Sequence, residues 1–179
     1  YKGIFTILSS CASRQLEEVT FRRTVIPVQE LLDAAGKYFK KLMKNRPERI
    51  ELEIESMEAK VIGDVNQLRF LLENLIDEAL TVREDGLIRL QARQDNEYIR
   101  FLFTDTRREK SVEELNQLFY PNLARMTSGE KGELRGTEYL ICKQIIRDHD
   151  EFAGRRGCRI NAEPAEGGGF TVYFTIPRR

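Results

Sequence analysis

At 179 residues the chain fits one folded domain with a short appendage, and it is long enough to bury a sizeable core without disulfides. Apolar residues make up 41% and charged residues 32%, the composition of a soluble globular protein. Lysines and arginines number 29 and acidic residues also 29, so net charge offers no argument for binding nucleic acid or an anionic membrane. Three cysteines, Cys11, Cys142 and Cys158, show no metal-ligand spacing, are odd in number, and read as reduced thiols in a cytoplasmic compartment. No apolar run reaches the roughly 18 residues of a membrane span. The chain opens on Tyr1, so it is expected to be part of a longer protein, with a membrane-anchored parent left open.

In chain order, residues 1–23 carry Ile4, Leu8, Cys11 and Leu16 near helical spacing. Residues 21–28 are rich in β-formers and stop at Pro27. Residues 29–45 predict an amphipathic helix, with Leu31, Leu32, Ala35, Phe39 and Leu42 on one stripe. Ile50, Leu52 and Ile54 alternate with glutamates, as on a half-buried strand. Asp64 is a candidate N-cap for a helix over 66–80 whose stripe is Leu68, Leu71, Leu72, Leu75, Ile76 and Ala79. Asp85 and Gly86 turn the chain. Residues 88–93 alternate, and after Asp95 and Asn96 the run 99–103 predicts the second arm of a hairpin. A short helix over 111–118, a glycine-containing mobile loop over 120–135, a helix over 137–147, and strands at 158–160 and 170–176 complete the order. Interleaved helices with two hairpins predict an α/β fold, an α+β two-layer sandwich of one mixed sheet with helices on one face.

Three stretches carry a resemblance. The first, Gly63-Asp64-Val65-Asn66-Gln67-Leu68 continuing to Asn74-Leu75-Ile76-Asp77-Glu78-Ala79, resembles a helix written G-D-x-x-x-L and N-L-x-x-N-A. The second, Phe101-Leu102-Phe103-Thr104-Asp105-Thr106-Arg107-Arg108, is similar to an apolar strand followed by D-x-G-x-G. The third, Gly136-Thr137-Glu138-Tyr139-Leu140-Ile141-Cys142-Lys143, resembles G-L-G-L-A-I-x-K. The ending, Gly169-Phe170-Thr171 to Pro177, matches G-x-T-F-x-F-x-L-P. Together these resemble the catalytic, ATP-binding domain of sensor histidine kinases, the Bergerat fold shared with gyrase-type ATPases and heat-shock chaperones, over residues 24–179.

The resemblance implies a nucleotide pocket of Asn74, Glu78, Asp105, Thr106, Gly136 and Thr171. In the family two asparagines four residues apart face the triphosphate, and the second holds Mg²⁺. Here Asn74 stands at the first position and Glu78 at the second, adding negative charge beside phosphates while remaining able to bind metal. The family's Asp reads the adenine amino group, and its glycines let backbone pass the base. Asp105 and Thr106 are kept, but Arg107 and Glu109 replace the glycines, and Arg107 is placed to pair with Asp105, Glu78 or Glu138 and so close the pocket from within. Glu138 replaces the second glycine of the third stretch, where it competes with an anion for the helix N-terminus. His149 matches a histidine that is structural in the family. It is the chain's one histidine, so residues 1–23, read as the end of a dimerisation hairpin, hold no phosphoacceptor.

The expectation is therefore a degenerate, pseudokinase-like signalling domain. It would have no catalytic residues and no metal of its own, acting by docking to other domains of a sensor protein or to a response regulator, with a homodimer through the N-terminal helix left open. The alternative is an active kinase domain that binds ATP and Mg²⁺ and phosphorylates a histidine elsewhere, with Arg107 or Lys131 on the phosphates. A gyrase- or chaperone-type ATPase ranks last, because the order Asn74 then Glu78 reverses the base-then-Asn order of those relatives.

Overall fold

A computed structural model describes residues 20–121 and 137–179. The strands are β1 (Thr24–Pro27), β2 (Ile50–Ile54), β3 (Lys60–Gly63), β4 (Gly86–Asp95), β5 (Tyr98–Asp105), β6 (Ile160–Pro164) and β7 (Phe170–Pro177). The helices are α1 (Val28–Met43), α2 (Val65–Ala79), α3 (Val112–Gln117) and α4 (Glu138–Phe152). Five strands form one mixed sheet in the order β2-β4-β5-β7-β6, with β2 parallel to β4 and the other pairs antiparallel. The expected mixed sheet is thus present. It is joined by a two-stranded piece, β1 with β3, that touches the end of β7 through Val61 and Arg178.

Alternation along the strands decides which face is covered. Ile88, Leu90 and Ala92 of β4, Phe101 and Phe103 of β5, and Val172 and Phe174 of β7 are buried under α1, α2 and α4. Phe101 and Phe174 are cross-strand partners whose rings stack 4.8 Å apart. The other face carries charge: Arg93 meets Glu55 at 2.8 Å and Arg89 meets Glu53 at 3.6 Å.

α2 is fixed at its start by side chains. Asp64 Oδ1 accepts hydrogen bonds from the amides of Asn66 (3.0 Å) and Gln67 (3.1 Å), and Oδ2 accepts from the Arg22 amide at 3.0 Å. The Asp64 amide itself donates to Nε2 of His149 at 3.1 Å, while Nδ1 of His149 donates to the Ile145 carbonyl at 2.8 Å. Both ring nitrogens of this fully buried histidine are used, which makes it a strut between α4 and α2. Gly63 has to be small there, since a Cβ would lie 2.8 Å from the imidazole.

α4 runs five residues past the expected end at residue 147, to Phe152. Beyond it Asp150 accepts from the amides of Gly157 (2.7 Å) and Cys158 (3.1 Å) and from Arg156 (2.9 Å). Burial opposes ionisation of Asp150, but these donors together outweigh it and hold the carboxyl below its usual range. Cys142 and Cys158 are buried and free, and burial pushes the Cys158 thiol up to about 12, so it stays protonated. The N-terminal helical expectation falls mostly outside the described residues; residues 21–23 are not helical. The loop expected over 120–135 lies almost wholly outside them too.

Asp64→Ala removes three acceptor contacts at once and should cost about 1–2 kcal/mol, the upper part of the N-cap range. Urea denaturation checks this, and Asp64→Ser, which keeps a capping oxygen, should recover part of the loss.

Candidate functional site

The C-terminal end of α2, the turn into β4 and the end of β5 converge on one side chain. Arg107 follows β5 by two residues and folds back beneath it, leaving 1% of its side-chain surface exposed. Its Nε donates to Asp105 Oδ1 and its Nη2 to Asp105 Oδ2, both at 2.9 Å, a fork-to-fork pair. Nη2 also donates to the Ala79 carbonyl at 2.6 Å, and Nη1 to the carbonyls of Val82 (2.8 Å) and Glu84 (2.9 Å). A guanidinium has five N–H donors, and each finds an acceptor here. The carbonyls that accept lie at and just beyond the end of α2, where a cation also suits the helix dipole. Gly86 makes room: its φ is +146°, and a Cβ would sit 2.5 Å from Cγ of Arg107. Glycine is also needed at Gly169, where a Cβ would run into the backbone of Asp105 and Thr106.

Asp105 is therefore held from within. It also accepts from the Arg107 amide at 3.0 Å, so three of its roughly four lone-pair directions are taken. Beside it is a pocket of about 40 Å³, lined by Glu78, Phe103, Asp105, Tyr139, Phe170 and Val172 among others. Tyr139, larger than the small residue expected of the third stretch, is buried and meets Phe119 edge to face at 5.7 Å.

Glu78 and Asp105 line one pocket, and the other described candidates make hydrogen bonds within the fold. Asn74 is buried and donates to the Phe70 carbonyl of its own helix at 2.7 Å. Thr106 donates to the Leu87 carbonyl at 2.6 Å. Thr171 pairs with Thr104, hydroxyl to hydroxyl at 2.7 Å, on the face of the sheet opposite Asp105. Glu109 extends toward Gly168 rather than toward the pocket. Gly136 and Lys131 lie outside the described residues. Among the described residues no group of three or more histidine, cysteine or acidic side chains is arranged to hold a metal. No helix there is long and apolar enough to cross a membrane.

Two features had no counterpart in the sequence reading. Gly86 was visible only as a turn residue, although its real role is to admit Arg107. The second feature is an acidic group on the outer side of α2. Asp77 accepts from the Tyr38 hydroxyl at 2.6 Å. Burial raises its pKa above the usual carboxylate range and the nearby Glu138 carboxylate adds to this, against the Tyr38 hydrogen bond. Tyr38 is pushed up in turn, by burial first and then by Asp77. Oε2 of Glu138 is buried and finds no hydrogen-bond partner among the described residues. The carboxylate at the start of α4 thus lies close enough to Asp77 for the two charges to repel.

A mixed sheet with Asp105 at the end of a central strand and α2 packed above it has the architecture of an ATPase-type fold. A family model described as histidine kinase-, DNA gyrase B-, and HSP90-like ATPase matches residues 63–179, and the chain belongs to that family. Solved structures agree in fold. The catalytic domain of histidine kinase ThkA, nucleotide-free, superposes with a TM-score of 0.69 at 22% identity over 88% of this chain and 96% of that one. The mycobacterial sensor histidine kinase MprB gives 0.68 at 19% identity over 88% and 99%. ThkA in complex with the response regulator TrrA gives 0.68 at 19% identity, over 99% of this chain and 49% of that one. No curated protein matches in sequence.

Asp105→Ala strands a buried guanidinium and should lower stability by about 3–5 kcal/mol, the usual result of removing one partner of a buried ion pair. Chemical denaturation reads this directly. Asp77 gives a second test. Its folded pKa is raised, so its contribution to stability is fully present below its unfolded pKa and is lost as pH rises through the folded value. Asp77→Asn should therefore gain stability relative to wild type as pH rises above the ordinary aspartate value of about 3.9, in parallel denaturation curves.

Proposed function

We propose that the chain is a degenerate, pseudokinase-like ATP-binding domain of a two-component sensor histidine kinase, one that signals by docking and binds Mg·ATP weakly or not at all. The observation that carries this reading is the fork-to-fork pair of Arg107 with Asp105. Asp105 is the residue that resemblance assigns to adenine, and its oxygens already face a donor that is part of the chain. An adenine amino group would compete with that pair for the carboxylate, and displacing it would deprive a buried guanidinium of its counter-charge.

Electrostatics adds to this. Glu78 lines the pocket with Asp105, where the family's metal-holding asparagine is expected. At an effective dielectric near 20, two like charges about 4 Å apart repel by about 4 kcal/mol, comparable with a whole millimolar binding energy. With Asp105 paired to Arg107 and a carboxylate at residue 78, the described residues fit a nucleotide poorly. The partners this reading implies are other domains of a longer sensor protein and a response regulator, the partner printed for ThkA, in the cytoplasm.

Isothermal calorimetry with Mg·ATP, and with ADP and metal-free controls, tests the proposal. Wild type should bind no more tightly than about 1 mM. The Glu78→Asn, Glu138→Gly double variant should bind more tightly than wild type. Micromolar binding by wild type, unimproved in the variant, would overturn the reading in favour of an active kinase domain.

A further inference from the structure

β2 ends the five-stranded sheet, and among the described residues no strand pairs with its other side. α1 runs beside that open edge. Gly36 lets the helix come close, since even a Cβ there would reach 3.2 Å from Cδ1 of Ile54. Between helix and strand lies a groove of about 840 Å³. Its apolar strip is Leu52 and Ile54, partly buried against the core. Lys37 and Lys40 stand on the helix wall, with Asp33 bonded to Gln29 beyond them, and Glu51 and Glu53 on the strand wall. An unpaired edge with a helix alongside is the geometry that accepts an added strand, whose main chain supplies affinity and whose alternate side chains supply selectivity.

The paired side of β2 shows which strand its carboxylates suit. There β4 turns Ile88, Leu90 and Ala92 inward and Arg89, Gln91 and Arg93 outward. Arg93 sits 2.8 Å from Glu55 and, with Gln91, holds that carboxyl below its usual range despite some desolvation. Arg89 reaches Glu53 at 3.6 Å. Glu51 is exposed and has no ion-pair partner among the described residues.

We propose that the open edge of β2 takes an extended segment of a partner protein in which apolar and basic residues alternate, the apolar ones facing Leu52 and Ile54 and the basic ones facing Glu51 and Glu53. A second copy of this chain is a poor occupant. Antiparallel pairing centred on Leu52 would set Glu51 opposite Glu53 twice, and like charges opposite one another destabilise. A uniformly basic segment is also a poor occupant, because its inward side chains would meet Lys37 and Lys40.

The probe is a fluorescein-labelled peptide copying residues 87–94 of this chain, with both ends blocked, titrated into the whole chain and followed by anisotropy and by amide NMR shifts. Saturable binding is expected, with shifts confined to residues 29–40 and 50–56. The Glu51→Lys, Glu53→Lys variant, altered only at exposed positions, should bind about tenfold or more weakly, a loss of about 1.4 kcal/mol. N-methylation of alternate peptide residues along one edge should abolish binding, since strand addition needs those amides. Four outcomes would overturn the proposal: no binding up to about 1 mM, shifts elsewhere on the domain, equal binding of the N-methylated or an all-arginine peptide, or self-association of the free protein through β2.

Discussion

A charge inside a protein is tolerated only when its surroundings replace water completely, and Arg107 meets that condition with no donor to spare. Its acceptors come from two stretches of the chain: the carbonyls of Ala79, Val82 and Glu84 between α2 and β4, and Asp105 at the end of β5. Each gives up something for it. The residues after Ala79 must aim their carbonyls inward, residue 86 must be glycine, and Asp105 must turn to its own chain. The small pocket, with its aromatic lining of Phe103, Tyr139 and Phe170, is the space left once these conditions hold.

The other end of α2 is held in an equally specific way, by the Asp64 cap and by His149. A helix of 15 residues pinned at both ends has little freedom to shift along its axis. Between the pins, Asn74 is spent on its own backbone, Glu78 faces the pocket, and Asp77 faces Tyr38 and Glu138. The helix that carries the family's phosphate-facing positions thus presents carboxylates on two sides. Negative charge near the start of α4 fits the same pattern, for Glu138 lies in its first turn and suits the local dipole without any bound anion.

Much of this was legible in the sequence because it rests on periodicity. The stripe from Leu31 to Phe39 and that from Leu68 to Ala79 place α1 and α2 within two residues of their observed ends. Alternation placed β4 and β5, and Asp64 was readable as a cap. β3 escaped because four residues, Lys60 to Gly63, are too few to show a period. The last turns of α4 escaped because Asp148 and His149 are buried polar residues, which break an apolar stripe without breaking the helix. At the site, the loss of two glycines was plain, and of the three carboxylates expected to pair with Arg107 the structure selects Asp105; what stayed hidden was its set of backbone acceptors. A side chain in a coil goes where tertiary structure offers acceptors, and those were backbone carbonyls of Ala79, Val82 and Glu84 that no residue type advertises. Alternation along 170–176 put Thr171 on the face opposite Phe170 and Val172, but its partner, Thr104, depended on strand register.

A domain that needs nucleotide to complete its pocket gains stability in proportion to the logarithm of ligand concentration over Kd, so its shape follows supply. Arg107 is a ligand held on the same chain two residues from its acceptor, so no supply term enters. The cation reaches Asp105 and the α2 terminus at an effective concentration fixed by the backbone. On the proposed reading this turns a conditional structure into a permanent one: the sheet, its outer face of ion pairs and the open edge of β2 keep one geometry whatever the nucleotide level. Docking by shape benefits from that constancy, because a surface already in its binding conformation loses no affinity to a competing state. The substitution that weakens the case for catalysis is then the same one that favours a fixed docking surface, and both consequences trace to five N–H groups finding five oxygens.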